Sequence, residues 1–89
     1  MNMKSNFQTI LIVDDEQPIR ELISYNLEKE DFKCLSAENG TSALLLARSE
    51  KPSLVILDLM LPDMSGLDIC RILKNDKDTM NIPIIMVTA

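Results

Sequence analysis

Three aspartates, Asp14, Asp15 and Asp58, stand where apolar runs end, and their spacing offers the chain its clearest chemistry. Thr9 to Val13 runs straight into Asp14-Asp15-Glu16, and Leu54 to Leu57 runs straight into Asp58. In open α/β sheets the carboxyl edge of the strands is where ligands bind, so an acid that ends a strand is displayed at a binding edge. If the two strands are neighbours, the three carboxylates converge there. Each pair about 4 Å apart repels by roughly 4 kcal/mol at an effective dielectric near 20. Three such pairs rival the whole stability of about 5–15 kcal/mol expected of a small domain. A cation must relieve this, or one acid must hold a proton. Oxygen ligands without His or Cys select a hard ion, and a few carboxylates plus waters suit Mg²⁺, with Mn²⁺ as the alternative. Such a site also suits a phosphate, to which Thr88, ending a fourth apolar run, can donate a hydroxyl hydrogen bond.

The elements that position these residues follow from the hydrophobic pattern. Leu54 to Asp58 reads as a strand buried on both faces of a parallel sheet, and Pro62 and Gly66 let the following loop turn into a helix. Thr9 to Val13 is a second central strand. Pro18 suits the first turn of a helix that the acids ahead of it can cap, and Ile19, Leu22, Ile23 and Leu27 form its core-facing stripe. Asp31-Phe32 turns the chain into Lys33 to Ala37, a shorter and more polar strand that reads as an edge. Asn39-Gly40 opens a helix carrying Ala43, Leu44, Leu46 and Ala47, which Lys51-Pro52 ends. Ile69, Cys70, Ile72 and Leu73 mark a third helix, with Lys74 and Lys77 near its negative end. A polar loop from Asn75 to Asn81 leads to a fourth strand, Ile84 to Val87, apolar throughout so that its residues read as interior, yet nothing in the sequence covers its far side. Alternating strands and helices joined by right-handed crossovers predict an α/β, doubly wound parallel sheet of order 2-1-3-4. Residues 1–8 read as a flexible leader and 9–89 as the folded unit.

Composition narrows the chemistry further. A net charge of −5 over 89 residues argues against direct nucleic-acid binding, which needs clustered Lys and Arg. Histidine is absent, so the chain cannot be its own phosphohistidine donor. Cys34 and Cys70 lack CxxC spacing, and no signal peptide or membrane-length apolar run is present. The reading is a cytoplasmic protein without membrane contact, its reduced cysteines serving as small buried apolar residues.

These motifs resemble the receiver domains of two-component response regulators. Leu11-Ile-Val-Asp-Asp-Glu16 is similar to the family's acidic first-strand signature, and Asp58-Leu-Met-Leu-Pro-Asp-Met-Ser-Gly-Leu-Asp68 to its phosphoacceptor strand and loop. Ala37 to Leu44 resembles its second-helix entry, and Pro83 to Ala89 its fourth strand and switch position. The resemblance implies a flavodoxin-like fold and phosphorelay signalling, with a downstream, transcriptional output like that of receivers preceding winged-helix domains. Asp58 would take a phosphoryl group from a sensor histidine kinase. Asp14, Asp15, Asp58 and the Met60 backbone carbonyl would hold Mg²⁺, Thr88 would bind the phosphoryl group as a switch, and Ala89 would leave room for the phosphate loop. The family's fourth helix, fifth strand ending in a phosphoryl-pairing lysine, and fifth helix are not among these residues.

The same residues admit plainer roles. Glu16 could orient the waters of the metal but serves at least equally as a helix cap, and the plainer roles are packing for the Met60 side chain, a turn acid for Asp63 and a solvated helix charge for Asp68. The leading reading is phosphoacceptance rather than classical enzyme catalysis, and two other functions compete with it. One is a phosphorylation-incompetent fragment that forms a homodimer through its open fourth strand. The other is a Mg²⁺-dependent aspartyl-nucleophile phosphohydrolase, a class that usually shows D-x-D where this chain has Asp14-Asp15-Glu16.

Overall fold

Each apolar run ended by an acid or a turn becomes a strand. The computed structural model describes residues 8–87, with strands β1 (Thr9–Val13), β2 (Lys33–Ala37), β3 (Leu54–Asp58) and β4 (Ile84–Val87). Between them lie helices α1 (Gln17–Glu28), α2 (Gly40–Glu50) and α3 (Gly66–Lys74). The strands pair in parallel in the order β2-β1-β3-β4, the expected flavodoxin-like arrangement. Of the expected leader, only Gln8 falls within the described residues, and Thr88 and Ala89 lie outside them.

The turns follow their local chemistry. Asp31 takes φ 70°, a left-handed conformation that a short polar side chain tolerates. Lys51 ends α2 with φ 45°, its amide donating to the Ala47 carbonyl. Asn39 caps α2 by accepting from the Ser42 amide at 2.8 Å, and Ser65 caps α3 by accepting from the Asp68 amide at 3.1 Å.

Pleating divides the sheet residues between two unequal faces. Leu11, Val13, Ala37, Val55 and Leu57 share one face and form the main core with Ala43 and Ala47 of α2 and Ile69 and Leu73 of α3. The other face carries Ile10 and Ile12, buried where α1 packs on β1 and β2. By register, Ile56, Ile85 and Val87 share that second face.

Four packing expectations need correction, and the second face accounts for three of them. β3 is fully buried only at Val55 and Leu57, while Leu54, Ile56 and Asp58 are half-buried. In β4, Ile85 and Val87 keep 52% and 42% of their surface exposed. No residue of α1 is fully buried, and Leu22 of its apolar stripe is 60% exposed. One helix over four strands covers β1 and β2 and leaves the β3 and β4 side open among the described residues. The fourth correction concerns Cys34 and Cys70, which are free thiols but only half-buried.

Candidate functional site

The parallel register carries the three aspartates to one edge. Val13 lies opposite Leu57, so Asp14 and Asp58, each the next residue, leave neighbouring strands at the same level. One carboxylate oxygen from each of Asp14, Asp15 and Asp58 lies within 4.8 Å of the others. Asp14 and Asp58 are half-buried and Asp15 is exposed. Water therefore screens the cluster, and its repulsion is weaker than the three-pair sum inferred from the sequence.

Backbone hydrogen bonds fix the acids from behind. The Asp14 amide donates to the Ala37 carbonyl at 3.1 Å, and its Oδ1 accepts from the Glu16 amide at 2.9 Å. Arg20 Nη1 donates to the Asp14 carbonyl at 2.7 Å. The Asp58 Oδ1 accepts a long bond, 3.3 Å, from the Met60 amide, and the Leu59 amide donates to the Val87 carbonyl at 3.2 Å. Glu16 occupies the N-cap position of α1 as expected, its carbonyl accepting from the Ile19 and Arg20 amides, but its side chain makes no capping bond.

The loop after Asp58 closes on itself. Met60 and Ser65 form an antiparallel bridge, and the Gly66 amide donates to the Leu59 carbonyl at 2.6 Å. That closure turns the Met60 side chain outward, 78% exposed, which corrects its reading as packing. Asp63 is also more than a turn acid. Its Oδ1 accepts from the Gly40 amide at 2.8 Å, and its Oδ2 accepts from the Thr41 amide and hydroxyl, both at 3.0 Å. The Gly40 amide, followed by the Thr41 donors, holds its carboxyl below the usual carboxylate range. Asp68 stands on an exposed face as expected, paired with Arg71 at 2.7 Å.

Sequence reasoning missed Arg20 and Thr79. Arg20 lies one turn into α1, where its distance from Asp14 along a bent chain gives no signal. Thr79 is buried inside the segment read as a polar loop, its hydroxyl donating to the Leu73 carbonyl at 2.7 Å. Lys74, expected near the negative end of α3, serves elsewhere too: its Nζ donates to the carbonyls of Met80 and Ile82 at 3.2 and 2.7 Å. An open cleft of about 440 Å³ between α1 and α2 is lined by Arg20, Ser36, Glu38 and Ser42, and none of the three aspartates lines it. The acid site is a shallow rim.

A doubly wound parallel sheet with clustered acids at its carboxyl edge is the arrangement expected of a receiver-type signalling domain. The chain belongs to the response regulator receiver domain family, whose pattern it matches over residues 10–89. It is 52% identical over 82 residues to the phosphate regulon transcriptional regulatory protein PhoB of Pseudomonas aeruginosa, covering 92% of this chain and 36% of that one. With the alkaline phosphatase synthesis transcriptional regulatory protein PhoP of Bacillus subtilis it shares 44% identity over 80 residues, 90% of this chain and 32% of the relative. The chain thus spans about a third of the length of these relatives. Among solved structures, the N-terminal domain of a response regulator receiver protein from Methanoculleus marisnigri superposes with a TM-score of 0.89 at 34% identity, over 92% of this chain and 67% of that one. Receiver domains are signalling domains rather than classical enzymes, and they accept phosphoryl groups from histidine kinases. No helix among the described residues is long and apolar enough to cross a membrane.

Proposed function

We propose that this chain accepts a phosphoryl group on Asp58 from the phosphohistidine of a sensor kinase, in residues 9–89 acting as the receiver unit behind a short leader. The observation that carries the reading is the meeting of Asp14, Asp15 and Asp58 carboxylates within 4.8 Å at one sheet edge. Three hard oxygen donors without His or Cys fit a hard divalent ion, so Asp14, Asp15, Asp58 and the Met60 carbonyl are the residues that would hold Mg²⁺ or Mn²⁺. A bound ion would offset the charge of the phosphoryl oxygens and of the acids themselves. An Asp58 oxygen attacks phosphorus, the phosphorus–nitrogen bond breaks, and its electron pair returns to the kinase imidazole. The half-buried, backbone-anchored position of Asp58 leaves its carboxylate facing an open rim, which suits a phosphodonor presented on another protein. Thr88 is the proposed phosphoryl-binding switch and Ala89 the small residue beside it.

The likeness to PhoB and PhoP supports a transcriptional output. The net charge of −5 supports contact through protein rather than direct nucleic-acid binding by this domain. The setting we assign is the cytoplasm, away from the membrane, and the only catalysis is the domain's own phosphorylation and the hydrolysis of its aspartyl phosphate. Incubation with Mg²⁺ and acetyl phosphate, read by intact mass, is expected to add one phosphoryl group, lost with EDTA and in Asp58→Asn. A folded sample whose mass never changes would overturn this.

A second reading comes from β4, which among the described residues has a strand neighbour on one side only and exposes Ile85 and Val87. An added strand from a second copy would give a homodimer. Sizing chromatography that returns a monomer at all concentrations would remove it.

A further inference from the structure

We infer that Asp63 is a positioning residue for the phosphoacceptor site, a latch that ties the tip of the loop after Asp58 to the first turn of α2. The inference rests on the divalent-ion reading above and adds a residue that touches neither the ion nor the phosphoryl group.

The loop between β3 and α3 is internally closed by the Met60–Ser65 bridge and the bond from Gly66 to Leu59. Such a closed loop moves as a unit about Leu59, whose amide donates to the Val87 carbonyl at 3.2 Å, so the loop's own bonds leave the tilt of the Met60 carbonyl toward Asp14 and Asp15, just past β1, unfixed. A second anchor at the tip fixes that tilt, and Asp63 supplies it from partners 22 and 23 residues away in sequence, accepting three hydrogen bonds of 2.8, 3.0 and 3.0 Å from Gly40 and Thr41.

Met64 adds an apolar prong beside it. A Cβ on Gly40 would lie 2.3 Å from Met64 Cγ and 2.5 Å from its Sδ, so the methionine occupies the space that glycine leaves. The anchor itself is firm: Gly40, Ala43 and Ala47 are buried, and α2 packs on β1 and β2. Through α2, which packs on β1, the latch therefore refers the Met60 carbonyl to the strand that Asp14 and Asp15 directly follow. A capping role alone does not account for it. α2 already has a local cap in Asn39, and Asp63 takes the two amides that Asn39 does not reach.

The test is a Mg²⁺ titration of the ¹⁵N-labelled chain, following the amides of Asp15, Asp58 and Met60, for the parent, Asp63→Ala, Asp63→Asn and Thr41→Val. Outer groups that orient metal ligands change affinity by about tenfold or more, so Asp63→Ala is expected to raise the Mg²⁺ Kd about tenfold. Asp63→Asn keeps one acceptor oxygen and should recover part of the loss, and Thr41→Val, which removes only the hydroxyl bond, should lose least. Hydrogen exchange at Gly40 and Thr41 reports the latch independently and should quicken in Asp63→Ala. An unchanged Kd with faster exchange at those amides would overturn the latch alone. A parent chain that shows no Mg²⁺ response would overturn the divalent-ion reading beneath it. If Asp63→Ala does not fold, Asp63→Asn carries the test by the same two measurements, and a parent-like Kd with faster exchange overturns the inference.

Discussion

Gly66 sits directly against the backbone of Asp58: a Cβ on Gly66 would lie 2.6 Å from the Asp58 carbonyl oxygen and 3.0 Å from the Leu59 Cα. Both obstacles are backbone, so neither can swing aside as a side chain would. Gly66→Ala is therefore expected to push the start of α3 away from the end of β3 and to destabilise the chain by about 1–3 kcal/mol, the range for overpacking. Chemical denaturation measures the loss, and amide shifts at Asp58 and Met60 report the displacement. Parent-like values in both would contradict the close approach.

Thr79 is the second place where a small change should be felt. Its buried hydroxyl satisfies the Leu73 carbonyl at the end of α3, where helix carbonyls lack intrahelical partners. Thr79→Val keeps the shape and removes the donor, leaving the Leu73 carbonyl with the long 3.4 Å bond from the Asp76 amide, at a cost of about 1 kcal/mol for the lost hydrogen bond. Thr79→Ser restores the hydroxyl and should recover most of that bond's contribution. Thermal melts of the three proteins separate hydrogen bonding from packing: equal losses in the Val and Ser variants would mean that the threonine methyl's packing counts as much as its hydroxyl bond.

Acid should weaken this fold through specific carboxylates. Arg48 lies 2.7 Å from Asp76 and holds its carboxyl below the usual range, assisted by the Asp78 amide. Arg71 and Ser65 do the same for Asp68, and the Gly40 and Thr41 donors for Asp63. A depressed folded-state value means that the unfolded chain binds protons first. The stabilisation is then complete above the ordinary aspartate value of about 3.9 and lost as pH falls through the lower folded values. Denaturation midpoints should stay level from neutral pH to about pH 5 and drop below about pH 4. The drop should be shallower in Asp76→Asn, and an equally steep one would show that Asp76 takes no part.

Cys34 offers a chemical probe of the second sheet face. Burial first, and then the nearby Glu28 carboxylate, push its thiol up, so less thiolate is present near neutral pH. Its reaction with a disulfide reagent at mildly alkaline pH is expected to be several-fold slower than that of free cysteine. Glu28→Gln should speed it modestly while leaving the larger burial effect in place. A rate equal to free cysteine would mean that α1 does not cover β2.

What the sequence discloses, and what it hides, follows from the range of the interactions involved. The strands are legible because four or five apolar residues ending in an acid or a turn have few other fates, and the right-handed crossover rule then makes β1 and β3 neighbours. Adjacent parallel strands ending in step are enough, on pattern alone, to bring Asp14, Asp15 and Asp58 together. Asp63 is hidden because its partners at Gly40 and Thr41 are distant in sequence, and an acid beside a proline looks like a turn residue. Thr79 is hidden because a polar loop gives no sign of which of its members turns inward. The Leu22 side of α1 is misjudged for a different reason: helical periodicity shows which face is apolar but not whether anything lies across from it.

That last distinction can be measured directly. Leu22 and Leu73 both belong to apolar helical stripes, and the sequence pattern treats them alike. In the structure Leu73 is 2% exposed in the core formed by α2, α3 and the sheet, whereas Leu22 is 60% exposed on α1. Leu73→Ala removes packed atoms and leaves a cavity, with an expected loss of about 2–5 kcal/mol. Leu22→Gln changes a side chain already in water, and surface substitutions of that kind fall within about 0.5 kcal/mol. Denaturant titration of both variants at one pH decides the matter. If Leu22→Gln costs as much as Leu73→Ala, α1 is packed against a surface that the described residues do not supply, and the open side of the sheet is covered in solution.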